Sequence, residues 1–256
     1  MSKITAFIDT IANMFSKKFY FFAALASVIG VLIFFVRDET AVRISLYYFL
    51  FLLTVFTSYL IYSIYKIFEN IPYDFHNIST FVKYSTDDGN IINFETYKII
   101  QVKKPIFTEF EYNFKWTGSI MPKITSNIQK VKNIVDVNDA TKYDKAILTL
   151  KKPAYYNQNV AIHFKAELDD ADKKSSPHVE TRVTNEISII HYRIILKHKS
   201  DDYNVNAILE KKKMNSAVNV GFTKIKEIPF DNFTKSYEYY LLEPEINHYY
   251  RIRWKK

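Results

Sequence analysis

Trp116, Arg182, Tyr192, Arg193, Tyr250, Arg251, Arg253 and Trp254 fall in the part of the chain whose pattern predicts β-strands. Aromatic faces stack on planar groups such as nucleobases, and guanidinium forks pair with phosphates. These eight residues are therefore the candidate lining of a ligand pocket for a nucleotide-like anion. The ordinary reading competes with it, because most aromatics of an all-β domain are core.

Other chemistry finds little footing. The chain has no cysteine, which excludes disulfides, thiol catalysis and cysteine-bound metals. His76, His163, His178, His191, His198 and His248 show no metal-ligand spacing, and neither a metal nor a cofactor is expected. His163 and His191 could meet across antiparallel strands, although a strand histidine more often faces solvent. There is no G-x-S-x-G elbow, H-E-x-x-H helix or Walker loop, and the four glycines lie far apart. Asp87-Asp88, Asp169-Asp170 and Asp201-Asp202 sit at predicted turns, where aspartate bonds to the backbone. Lys211-Lys212-Lys213 reads as a solvated strand edge that resists aggregation. The expectation is a binding domain and not an enzyme.

Two apolar runs set where that domain sits. Phe19–Val36 and Ile44–Tyr65 are 18 and 22 residues long, carry no charge, and are joined by the charged link Arg37–Arg43. A helix rises about 1.5 Å per residue against a hydrocarbon core of about 30 Å, so each run can span. Neither has the polar stripe of a soluble helix. Phe34, Phe35 and Val36 close the first run without a small-residue cleavage pattern, so the reading is a retained helical hairpin over 19–68 and not a signal peptide.

Lys3, Lys17, Lys18, Lys66 and Lys83 flank the hairpin outside the link, which holds only Arg37 and Arg43. That asymmetry places both termini in the cytoplasm. Ala23, Ala26, Ser27 and Gly30 form a small-residue stripe on one face of the first span. Such stripes let helices approach closely, either between copies or within one hairpin. Thr54, Thr57 and Ser58 could bond across helices or line a pore. Residues 1–18 read as an amphipathic interfacial helix, with Ile4, Phe7, Ile8, Ile11, Met14 and Phe15 at helical spacing.

Residues 69–77 read as a linker and 78–256 as an antiparallel β-sandwich or β-barrel. Phe81–Ser85 and Ile91–Val102 flank a turn at 86–90. Phe110–Trp116 and Val160–Leu168 alternate cleanly between apolar and polar residues. Further strands are expected at Lys145–Lys151, Glu186–Lys197, Tyr203–Glu210, Ala217–Lys226, Ser236–Leu242 and Tyr249–Trp254, while 123–144 is ambiguous. The net charge of +8 suits a cytoplasmic face near an anionic leaflet or an anionic ligand.

Two N-terminal spans, Phe19–Tyr65, followed by a β region, Ile78–Trp254, resemble the two-transmembrane β-barrel effectors of bacterial cyclic-oligonucleotide (CBASS-type) antiphage systems. The resemblance implies a cyclic-dinucleotide-binding barrel, homo-oligomerisation on binding, and spans that then disrupt the inner membrane. Trp116-Thr117-Gly118 and Tyr250-Arg251-Ile252-Arg253-Trp254 also resemble a β-sandwich module of bacterial defence-type proteins. The expected partners are the lipid bilayer, further copies of the chain, and a cyclic nucleotide or a partner protein. No nucleic acid polymer is expected. The alternative function is an anchor or scaffold that docks a partner protein.

Overall fold

The computed structural model describes residues 27, 28, 30, 39–69, 73–137, 142–216 and 221–256. The chain divides into two compact units, Met1–Asn70 and Ile71–Lys256.

The first unit is described mainly through helix α1, Glu39–Glu69. Within it Val42–Lys66, 25 residues, is long and apolar enough to cross a membrane. Helix α1 begins inside the expected link, and Glu39 accepts a hydrogen bond from Arg43 one turn later at 2.7 Å. Thr54 and Thr57 each donate back to their own helix, to the carbonyls of Leu50 and Leu53 at 2.8 Å. That satisfies both hydroxyls without a second helix. Of the expected first span, Ser27, Val28 and Gly30 are helical; the remainder, Ala23 and Ala26 included, lies outside the described residues, as does the interfacial helix.

The second unit is built of antiparallel ladders with one parallel pair, β1 on β9. Its strands are β1 Phe75–Thr86, β2 Ile91–Val102, β3 Ile106–Phe114, β4 Lys123–Thr125, β5 Lys130–Val135, β6 Asp144–Tyr155 and β7 Asn159–Asp169, then β8 His178–Val183, β9 Ile189–Leu196, β10 Ala207–Lys213, β11 Thr223–Ile228, β12 Ser236–Leu242 and β13 His248–Arg253. β1 starts within the expected linker, β4 and β5 resolve the ambiguous 123–144 stretch, and β8 has no counterpart among the expected strands.

Three open sheets result: β12-β9-β1-β2-β7-β4, β11-β10-β13-β8 and β3-β6-β5. No barrel closure is found among the described residues, so the barrel expectation gives way to open sheets. The β1–β2 hairpin fixes one of the two longest ladders, the other being β2 on β7. Gly89 takes φ +77 at its turn, a conformation that costs glycine nothing. Thr86 Oγ1 accepts the Gly89 amide at 2.8 Å, and Asp88 Oδ1 accepts those of Asn90 and Ile91 at 2.8 and 3.0 Å.

Alternation then sorts the side chains of the six-stranded sheet. One face carries Tyr192 and Ile194 of β9, Val82 of β1, Ile92 and Ile100 of β2, and Ile162 and Phe164 of β7, all buried. The β9 and β1 half shares a core with the four-stranded sheet, through Val179, Leu209 and Ile252. The β2 and β7 half shares a second core with the three-stranded sheet, through Phe110, Tyr112 and Leu148. Each fully buried side chain of this size contributes about 1.5–3 kcal/mol. Two smaller sheets thus lie side by side over one face of a larger one.

The opposite face carries a ring ladder in register across five strands: Tyr240, His191, Phe81, Tyr97 and His163. Tyr240 and His191 stack at 4.0 Å, and Tyr97 lies 4.4 Å from His163. The two histidines therefore share a ladder without meeting, because β1 and β2 stand between their strands. His163 is fully buried and not solvent-facing as expected, because the loop after β4 closes over it.

Candidate functional site

Where the two smaller sheets fail to meet, a cleft of about 1010 Å³ opens onto the six-stranded sheet. At about 30 Å³ per water molecule it is far too large for a structural water site. Thr80, Val82 and Tyr84 of β1 and Phe94, Thr96 and Lys98 of β2 make the floor. One wall is β3 with Trp116 beyond its end; the other is β8.

Lys98 is the chemical centre. Alternation puts it among Ile92, Phe94, Thr96 and Ile100, on the inward face of β2. Its ammonium stands 5.0 Å from the centre of the Tyr112 ring and 5.8 Å from that of Phe110. Burial pushes the amine down to about 8, and no carboxylate pulls it back. Tyr112 is held rigidly: it stacks on Phe164 at 4.0 Å, and its hydroxyl donates to Thr96 Oγ1 at 2.9 Å. Burial pushes that phenol up to about 12.

Lys115, Arg182 and Lys212 join Lys98 around the cleft, against the carboxylates Glu111 and Glu180. The lining is therefore net positive and aromatic. Trp116 is half-buried, and its buried indole N–H has no hydrogen-bond partner among the described residues. Gly118 permits that packing, since a Cβ there would come within 2.5 Å of the indole. On the rim Tyr143 stands beside Tyr249, and burial raises its pKa. These groups can hold an anion beside an apolar or planar body.

Of the eight residues marked by the sequence, the cleft brings together Trp116 and Arg182. Tyr192, Tyr250 and Trp254 pack inside the first core and face no ligand space. Arg251 and Arg253 are committed to Glu210, at 2.6 and 2.8 Å. Arg251 also lies 3.7 Å over the Phe222 ring. Arg193 lies on the ladder face, paired in register with Lys83 and Glu238. Ser27 and Gly30 of the small-residue stripe are exposed on their helical segment. Lys98, Tyr112 and Lys115 went unmarked, and Lys212 was read only as part of a solvated strand edge, whereas β10 lies between β11 and β13. A lysine at an inward position of the Ile91–Val102 alternation was the available signal for the first.

Among the described residues no three His, Asp or Glu side chains converge as metal ligands would. Ser126 Oγ does lie 3.4 Å from His163 Nδ1, with Glu95 at 2.9 Å from Nε2. That is not a catalytic arrangement, because Nδ1 already accepts the Asn127 amide at 2.8 Å and the ring is sealed from solvent.

No family model matches the chain, and no curated protein matches it in sequence. Among solved structures it is similar to an M1 zinc metallopeptidase from Deinococcus radiodurans, with TM-score 0.35, 6% identity, and coverage of 70% of this chain and 42% of that one. It is also similar to baculovirus P35, with TM-score 0.34, 10% identity, and coverage of 73% of this chain and 99% of that one. The chain thus spans less than half of the metallopeptidase. The expectation that the chain is not an enzyme is withdrawn, because a zinc peptidase stands among its structural neighbours. At a TM-score of 0.35 that neighbour assigns no activity either.

Proposed function

We propose that this chain is a membrane-anchored receptor and effector. The cleft of the β unit captures an anionic signal, either nucleotide-type or carried by a partner protein. Capture promotes self-association, and the apolar helices of the assembled copies then perturb the bilayer. In this reading two spans cross a bacterial inner membrane, with the β unit and both termini in the cytoplasm. The architectural resemblance to cyclic-oligonucleotide antiphage effectors supplies the biological setting, antiphage defence.

One observation carries the proposal: Lys98 stands on the cleft floor as a cation without a carboxylate. A half-buried charge without a carboxylate beside it is costly, and a bound anion would offset that cost. The test is the thermal midpoint of the full chain in detergent micelles. Cyclic di- and trinucleotides, nucleoside triphosphates and acidic peptides form the panel. A ligand at 100 times its Kd stabilises by about 2.7 kcal/mol. The expected result is a shift with an anion that is lost in Lys98→Met. No shift across the panel, or an equal shift in Lys98→Met, overturns the proposal. Exchanging residues 19–68 for an unrelated two-span anchor then separates an effector, which loses activity, from a scaffold, which keeps it.

A further inference from the structure

The layer over the six-stranded sheet is interrupted. It holds three strands ending at β3 and four ending at β8, and these two edges border the cleft without pairing. Among the described residues β3 pairs only with β6 and β8 only with β13, so each turns one unpaired edge to the cleft.

The ladder between β8 and β13 fixes which groups of β8 are free. Trp254 donates to the Pro177 carbonyl at 3.1 Å, and β13 pairs in register from His248↔Val183 to Arg253↔His178. Antiparallel pairing alternates, so Val179, Thr181 and Val183 turn their amides and carbonyls toward β13. Those of Glu180 and Arg182 turn the other way, toward the cleft. No hydrogen bond in the described residues takes up either amide. The floor beneath is half apolar, with Val82, Tyr84 and Phe94, and carries Lys98 at one end of the row. Such a floor has the composition of a sandwich core that lacks one strand above it.

We infer that the cleft takes an extended acidic peptide of a partner protein, which adds as a strand to the free edge of β8. The inference rests on reading the cleft as the ligand site, and it names the ligand class. β8 is six residues long, and at about 3.3 Å per residue it can pair over about 20 Å. Alternate side chains of the added strand would face the floor, apolar over Val82 and Phe94 and carboxylate over Lys98. The four cations against two carboxylates around the cleft favour an acidic sequence over a basic one.

The experiment uses the full chain in lipid nanodiscs. Random twelve-residue peptides are selected on it by phage display, and enriched sequences are synthesised. Alternating apolar and polar sequences with a central aspartate or glutamate are expected. Bound, they should slow hydrogen exchange at the Glu180 and Arg182 amides by about tenfold or more. Glu180→Pro removes one cleft-facing donor and breaks no bond to β13, so it should abolish binding and leave the free chain's midpoint unchanged. No enrichment, or peptides that bind without slowing those amides, overturns strand addition. If the proline variant does not fold, exchange in the parent chain decides alone. Cyclic di-AMP is the second probe. Should it raise the midpoint through Lys98 and leave both amides fast, strand addition falls and the anion receptor stands. Should neither probe bind, both fall.

Discussion

The Lys98 ammonium and the Tyr112 ring face each other across the cleft at 5.0 Å, closer than the Phe110 ring at 5.8 Å. A cation–π contact contributes about 0.5–2 kcal/mol, less than the several kcal/mol lost on burying a charge. Lys98 therefore costs stability. Its amine is held near 8 in the folded chain against 10.5 when free. Below pH 8 it is charged in both states and the full cost applies. Between pH 8 and pH 10 the unfolded chain binds more protons, so stability rises with pH. Urea unfolding at pH 7 and pH 10 should show the parent gaining about 2 kcal/mol relative to Lys98→Met. Equal responses would place the ammonium in water.

Glu210 gathers Arg251 and Arg253 on the outer side of the four-stranded sheet, and it is buried while they are not. Burial pushes its carboxyl up, but hydrogen bonds from Arg253 and Arg251 outweigh this and hold it below 4.5. A depressed carboxylate stabilises above its ordinary range, and that contribution is lost as pH falls through the folded value. Glu210→Leu should cost about 2 kcal/mol at pH 7, below the roughly 3–5 kcal/mol of a fully buried broken pair because both arginines reach water. The cost should shrink toward pH 3. A cost that persists at pH 3 would mean that packing, not charge, holds this site.

Gly118 lies against the Trp116 indole so closely that an added Cβ would meet it at 2.5 Å. Gly118→Ala should therefore displace the indole and destabilise by about 1–3 kcal/mol. In a Trp254→Phe background, Trp116 is the sole tryptophan, and its emission should shift to the red as the ring moves toward solvent. An unchanged spectrum would show that the 116–118 segment yields instead of the ring.

Period-two alternation made most strands legible, and Ile91–Val102 and Ser236–Leu242 have the same bounds in sequence and structure. β8 escaped because His178–Val183 mixes Glu180 and Arg182 with two valines and follows Pro177 without an apolar run. The site was less legible still. Trp116 and Arg182 were marked by residue type, but type alone cannot separate an arginine facing a cleft from Arg251, which serves Glu210 on another strand. That pairing depends on which strands become neighbours, here β10 and β13. Nor can one strand's pattern show that two covering sheets stop short of each other. Lys98 was visible as a charged residue in an apolar register, and only the gap above it gives that misfit a use.

His163 offers the sharpest check on the loop that follows β4. Its Nδ1 accepts the Asn127 amide at 2.8 Å, which places the ring proton on Nε2, where it is donated to Glu95 Oε1 at 2.9 Å. The His163 amide donates to Gln129 Oε1 at 2.9 Å, and Gln129 Nε2 donates to the Ala161 carbonyl at 2.7 Å. The loop is thus pinned to β7 by one imidazole and one carboxamide. Nitrogen-15 correlation spectra should show the Nε2–H tautomer for His163. His163→Leu fills the space but leaves the Asn127 amide without its acceptor, a loss of about 1–3 kcal/mol. Exchange at that amide should quicken about tenfold or more, while amides of β1 and β9, two and three strands away, keep their protection. An Nδ1–H tautomer would remove the acceptor from the start, and the loop would then be held by Gln129 alone.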